Sequence, residues 1–206
     1  MSFDIVHVAN KSLSVKQEGD INGIPIGFTP SLGHSEIWRK KEGFGNARKL
    51  YYSTFDDKIS FGDNLGNVTV LNCEDGSIDF KYALHTGVVS RAIYFSATKT
   101  IVSGGYDDRT VKLTNSTTGN PTWTFTGHTG PVNAVEISLI NAFIFSCSDD
   151  GTIKRLSNGN EAWSYQTGSR VTDIRSFKAF IYAITASGEV VKLTHAGVLE
   201  EAIRGW

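Results

Sequence analysis

One phrase returns along this 206-residue chain: a glycine, a few residues, then a short run that usually carries an aromatic. It begins at Gly33 (GHSEIWRK), Gly76 (GSIDFKY), Gly119 (GNPTWTF), Gly159 (GNEAWSY) and Gly197 (GVLEEAI, without an aromatic). The intervals are 43, 43, 40 and 38 residues, which average 41. Such a period constrains the fold more than any composition does. A repeated supersecondary unit cannot bury its own faces and has to stack on its copies. A second series marks a tighter turn at Gly19, Gly66, the Asp108-Arg109 pair, Gly151 and Gly188. A short, mostly β-branched pattern follows each: DI, NVTV, TVKL, TIKR and EVVK. Over their middle repeats four and five overlay without a gap, IFSCSDDGTIKRLS (144–157) on YAITASGEVVKLT (182–194), starting one residue in; upstream, VNAVEIS (132–138) lies on VTDIRSF (171–177). The first repeat is the most divergent, yet residues 3–21 still lie on residues 172–190.

Each repeat reads as four short strands. The inner runs alternate or are wholly apolar over four to seven residues, as in Val132–Ile137. Asp150-Gly151 and Asn158-Gly159 supply hairpin signals between them. No window keeps an apolar period near 3.6, so helix content should be low. Four strands at this period predict an all-β fold, a β-propeller with five blades of four antiparallel strands. The whole of 1–206 then forms one domain, with blades at about 1–42, 43–84, 85–127, 128–165 and 166–206. The chain would enter at an inner strand (Phe3–Val8) and leave at an outer one (Val198–Ile203), so its two ends would not share a blade.

Two stretches resemble the WD-repeat propellers. TGHTGPVNAVEIS…FIFSCSDDGTIKRLS (126–157) follows that family's Gly-His, inner strand and Ser-x-x-x-Asp-Gly-Thr-Ile-Lys pattern. HTGVVSRAIYFSATKTIVSGGYDDRTVKLTN (85–115) is similar to it. The family's Trp-Asp pair is missing: Thr114-Asn115 and Leu156-Ser157 stand in its place. A shorter likeness links AWSYQTG (162–168) and Trp38, Trp123 and Trp163 to quinoprotein-like propeller repeats. Both families imply the same architecture.

His128, Ser146 and Asp150 fall in one repeat. His85, Ser103 and Asp107 fall in the one before, with Asp108 an alternative because that turn is one residue longer. Together these residue types could make a nucleophilic triad. The WD-repeat resemblance implies instead a structural hydrogen-bond chain from the loop before a blade to its inner turns. Repetition argues the same way, since an enzyme needs one such site. The acidic pairs Asp56-Asp57, Asp107-Asp108 and Asp149-Asp150 lack the alternating oxygen ligands of a calcium loop and read as turn residues. The recurring tryptophans read as packing between blades, or as platforms for a sugar or quinone.

Arg48 and Arg91 occupy similar places near the starts of inner strands, with Asn133 in the fourth repeat and Arg170 about two residues earlier in the fifth. The resemblance implies that side chains here ring the mouth of a central channel and contact partners. Arginine suits that task through its planar, weakly hydrated fork of donors. Arg39, Lys40 and Lys41 form a short basic cluster that reads as solvated.

Composition then removes classes. Twenty Lys and Arg against 21 Asp and Glu give a net charge of -1, so no general field attracts nucleic acid. No apolar stretch is long enough to span a bilayer, and the start lacks the pattern of a secretory signal. Cys73 and Cys147 have no metal-ligand spacing, and a reducing, cytoplasmic setting is the simplest reading. The sequence therefore predicts a non-enzymatic protein-interaction scaffold with no cofactor and with protein partners. The alternative is a lectin-like propeller that binds glycans or other small molecules.

Overall fold

The computed structural model describes residues 5–8, 36–40, 44–53 and 56–204, with side chains from 44 to 53 and 56 to 203. These residues are almost entirely strand and turn; the one helical piece is a single 3₁₀ turn at Ser96–Thr98. The first repeat contributes β1 (Ile5–Val8) and β2 (Glu36–Lys40), which pair antiparallel. The rest of that repeat lies outside the described residues, as do the side chains of Trp38, Arg39, Lys40 and Lys41.

Four units of four strands follow. The second unit runs β3 (Ala47–Ser53), β4 (Lys58–Asp63), β5 (Asn67–Asn72) and β6 (Ile78–Ala83). The third runs β7 (Val89–Phe95), β8 (Thr100–Gly105), β9 (Val111–Asn115) and β10 (Pro121–Phe125). The fourth runs β11 (Val132–Ile137), β12 (Ile144–Ser148), β13 (Thr152–Ser157) and β14 (Asn160–Gln166). The fifth runs β15 (Val171–Phe177), β16 (Phe180–Thr185), β17 (Glu189–Thr194) and β18 (Leu199–Arg204). Within each unit every strand pairs antiparallel with the next in sequence. One parallel contact, Lys49 beside Arg91, joins the first strands of the second and third units. In the first repeat, by contrast, β1 pairs directly with β2. The architecture is all-β, with the sheet-upon-sheet order of a β-propeller.

Both glycine series mark hairpins that need a positive φ. The turns after the third strands hold Gly76, Gly119, Gly159 and Gly197 at φ 67° to 84°. The turns before them hold Gly66, Gly151 and Gly188 at 79° to 88°. The third unit has no glycine there, and Arg109 takes φ 57° in its place. A side chain in that region is costly, and glycine relieves the cost. That requirement is what printed the period into the sequence.

Apolar layers separate successive units. Val68, Val70 and Leu84 pack on Val89, Ala92, Tyr94 and Ile101. Ile93, Val102 and Val111 pack on Val132, Val135 and Ile137. Phe145, Cys147 and Ile153 pack on Val171, Ile174, Ile181 and Leu193. Each layer removes several branched side chains from water, worth roughly 1.5–3 kcal/mol apiece. Outer-strand aromatics seal the same junctions. A Cβ on Gly119 would meet the Tyr82 ring at 2.5 Å, one on Gly159 would meet Trp123 at 3.0 Å, and one on Gly197 would meet Trp163 at 2.8 Å. The Trp163 indole also donates to the His195 carbonyl at 3.0 Å. Trp123 and Trp163 are thus used in packing between units.

The first strand of each unit carries a register shift near its start, after Ala47, Val89, Val132 and Val171. All four strands carry the extra residue at the same place, so they stay in step with one another. Lys49, Arg91, Ala134 and Asp173 share one position, and Arg48, Ser90, Asn133 and Thr172 the one before it. Arg91 therefore corresponds to Lys49 rather than to Arg48, and Arg170 precedes both sets.

Candidate functional site

The two His-Ser-Asp sets run from the loops before the third and fourth units into their upper turns. His128 Nδ1 lies 2.8 Å from Asp150 Oδ2, and its Nε2 lies 2.8 Å from the Ser146 hydroxyl. Thr152 Oγ1 donates to Asp150 at 2.6 Å, and the Thr129 amide donates to it at 3.0 Å. A neutral imidazole fits both contacts, donating from Nδ1 and accepting at Nε2. Burial lowers the His128 pKa below its ordinary value although the Asp150 carboxylate pulls upward. Burial also works to raise Asp150, but hydrogen bonds from Thr152 and His128 outweigh it and hold this group at about 2.

The third unit repeats the arrangement with one correction: the carboxylate is Asp108, not Asp107. His85 Nδ1 meets Asp108 Oδ2 at 2.9 Å, and Nε2 meets Ser103 Oγ at 2.8 Å. Asp107 instead accepts from the Val88 amide at 2.7 Å. The turn 106–110 is one residue longer than its counterpart, which moves the chain's carboxylate along by one. Burial again opposes ionisation of Asp108, yet bonds from His85 and Thr110 hold it well below the usual carboxylate range. Ser103 and Ser146 are both 0% exposed, so no substrate carbonyl can reach either hydroxyl. The geometry orders two turns and closes two hydrogen-bond chains.

The second unit reaches the same end differently. Buried Asp63 accepts from the amides of Gly45, Leu65 and Asn67 at 2.9 to 3.1 Å and from the Asn67 side chain. Burial works to raise its pKa, but the bonds from Asn67 prevail and lower it.

Where the first strands converge, charges from four units meet. Arg91 is 2% exposed. It reaches Asp173 Oδ1 at 2.9 Å and the Ile174 carbonyl at 3.1 Å, with Glu136 at 3.6 Å. Lys49 lies 3.4 Å from Asp173, and Arg175 lies 3.4 Å from Glu136. Burial pushes Glu136 up to about 7 against the pull of Arg91. Lys49, Glu136, Asp173 and Arg175 escaped the sequence reading. Their signal was a charge inside an otherwise apolar inner run, as in VSRAIYF and VNAVEIS, but their partners lie as far off as Lys49 from Asp173.

The four residues proposed for the mouth are not alike. Arg91 is committed to the interior cluster. Asn133 donates to Asp149 Oδ1 and to the Val171 carbonyl, both at 2.7 Å. Arg48 and Arg170 are exposed, and neither side chain makes a hydrogen bond or ion pair among the described residues. The acidic pairs serve turns: Asp149 takes Asn133, Asp56 takes the Ser53 hydroxyl at 2.8 Å, and Asp57 takes the Tyr52 hydroxyl. Among the described residues no cluster of His, Cys, Asp and Glu could hold a metal ion, and no helix is long and apolar enough to cross a membrane. Both cysteines are buried thiols, and burial pushes Cys147 far up.

The successive four-stranded sheets are arranged as in a β-propeller, and the paired His-Ser-Asp chains resemble those of the WD-repeat propellers. The family "WD domain, G-beta repeat" matches residues 119–154, a span that contains His128, Ser146 and Asp150. The chain is also similar to the Periodic tryptophan protein 2 homolog of Dictyostelium discoideum, 28% identical over 145 residues. That match covers 65% of this chain and 14% of the relative, so the chain corresponds to a small part of that protein's length.

Proposed function

We propose that this chain is a non-enzymatic, intracellular protein-interaction module that takes its partner at the end of the propeller where the first strands begin. The observation that carries this reading is the state of Arg48 and Arg170. Both cations stand exposed and unpaired among the described residues, Arg170 just before β15 and Arg48 at the second residue of β3. Exposed arginines on rigidly held loops can contribute strongly to a protein interface. Arg91 and Asn133, the other two residues of the set, act one layer deeper and hold the strand ends in place. The buried, duplicated His-Ser-Asp chains support a scaffold over an enzyme. A net charge of -1 supports protein partners over general nucleic-acid binding.

The test is affinity capture with the immobilised full chain, comparing wild type with the Arg48→Glu/Arg170→Glu double variant. Loss of a co-purifying chain at unchanged melting temperature is the expected result. A partner retained by the double variant would move the site elsewhere.

A further inference from the structure

The first strand of each unit runs from the end that carries Arg48 and Arg170 to the opposite end. In the third to fifth units the turns at that far end are 96–99, 116–120, 138–143, 158–159, 178–179 and 195–198. No aspartate or glutamate falls in any of them, whereas Lys99 and Lys178 do. The acidic turn residues of these units, Asp107, Asp108, Asp149 and Asp150, all lie at the Arg48 end. Lys99 and Lys178 are exposed, and neither meets a carboxylate among the described residues. The far end of these units therefore carries cations without counter-ions.

The same end holds an apolar recess. Leu139 and Ile140 are 62% and 63% exposed in turn 138–143. The turn does not need them for its own closure. The Ser138 amide donates to the Phe143 carbonyl at 2.9 Å, and the Ala142 amide donates to the Ser138 carbonyl at 2.8 Å. Phe143 turns inward onto the layer between the fourth and fifth units, with the Arg155 guanidinium 3.8 Å from its ring centre. The equivalent turns expose Ala97, Thr98 and Lys99 in the third unit and Lys178 and Ala179 in the fifth. Of these three units only the fourth puts two adjacent branched aliphatics into water here. Leu139 forms one wall of a recess of about 380 Å³, and Phe95, Ser96 and Ala97 of the third unit form the others. Adjacent exposed aliphatics beside an apolar recess, unlike scattered single ones, mark a surface for a partner.

We propose that this recess is a docking site for a short acidic segment of a partner protein, which seats a large apolar side chain between Leu139 and Phe95 and directs its carboxylates toward Lys99 and Lys178. An apolar anchor in a pocket with charge at the rim is the usual anatomy of a peptide interface. The uncompensated lysines select an acidic partner and reject a basic one. The concave shape favours a peptide over a bilayer, because an apolar surface that enters a membrane has to protrude into it. A net charge of -1 gives no general attraction to an anionic surface either. This surface lies at the opposite end of the propeller from Arg48 and Arg170, so it stands or falls independently of the site proposed there.

The test is to select a displayed library of short random peptides on the immobilised full chain and to measure the enriched peptides by fluorescence anisotropy. They should combine Asp or Glu with a large apolar residue and bind more weakly as salt rises. Leu139→Ser/Ile140→Ser should weaken binding about tenfold or more, and Lys99→Glu/Lys178→Glu several-fold, both at unchanged melting temperature. Arg48→Glu/Arg170→Glu should bind these peptides as wild type does. A library that yields no such peptide, or peptides that bind Leu139→Ser/Ile140→Ser as well as wild type, would overturn the proposal. So would either of two other occupants. Sedimentation with phosphatidylcholine–phosphatidylserine vesicles that is lost in Leu139→Ser/Ile140→Ser would assign the surface to a membrane. A doubled mass in light scattering, abolished by the same variant, would assign it to a second copy.

Discussion

The fourth and fifth units share a four-stranded sheet, a register shift in the first strand and a common apolar layer, yet they brace their upper turns differently. In the fourth, His128 ties a loop to a turn 22 residues away and to a buried serine. In the fifth, the serine position is Ala183 and the carboxylate position is Ser187. Thr167 stands where His128 would, four residues before the first strand. Its bonds are short-range: Thr185 Oγ1 shares a hydrogen bond with Ser187 at 2.9 Å and accepts from the Glu189 amide at 3.0 Å. Thr167 Oγ1 reaches back instead to the fourth unit's turn, donating to the Gly151 carbonyl at 2.9 Å. A buried serine without its histidine would lose its partner, so alanine at 183 follows from the loss at 167. One backbone accepts either device. The histidine chain is therefore a brace, and its resemblance to a triad is a resemblance of parts.

The largest expected effect crosses both units at once. Arg91→Ala leaves Asp173 and Glu136 without their buried cation and should cost about 3–5 kcal/mol in urea unfolding. A cost below about 1 kcal/mol would mean that the cluster does not tie the first strands together. Next comes the brace. His128→Ala should cost about 1–3 kcal/mol, and Thr185→Ala in the fifth unit about 0.5–1.5 kcal/mol. Equal costs would erase the distinction between the two devices.

A pH series sharpens the same contrast. Glu136 sits at about 7 in the folded chain against an ordinary 4.5, so the folded state holds its extra proton between those values. Stability from this group therefore rises as pH falls from 8 toward 5. His128, lowered from 6.5, acts oppositely, because protonating it below that pH favours the unfolded chain. Asp150, at about 2 against 3.8, supplies stability above 3.8 that is lost as pH falls toward 2. The melting temperature of Glu136→Gln, subtracted from that of wild type, isolates the first effect. The difference should rise from pH 8 to pH 6, as wild type gains stability that the variant does not, and a flat difference would contradict it. The smallest effect falls on the mouth: Arg48→Glu and Arg170→Glu should each change stability by less than about 0.5 kcal/mol.

The period, the strand order and the turn positions were legible because they depend on local backbone demands. Gly66, Gly151 and Gly188 stand where φ is positive, and the strands between them alternate or run apolar. The longer turn leaves Asp107 and Asp108 as alternatives in the sequence, since both are aspartates, and only the contact with His85 selects Asp108. Arg48 resembles Arg91 by residue type, and only the register shows that Lys49 holds Arg91's place in the second unit. The central cluster was invisible because its members become neighbours only after four units have packed. Arg91 and Ile174 are 83 positions apart.

Amide hydrogen exchange tests the brace most directly, by comparing the upper turn of the fourth unit (148–152) with that of the fifth (185–189) in the full chain, before and after His128→Ala. The fourth-unit turn should exchange several-fold more slowly in wild type and lose that advantage in the variant, with the fifth-unit turn unchanged. Equal protection of the two turns in wild type, or protection of 148–152 that survives removal of the histidine, would contradict the account.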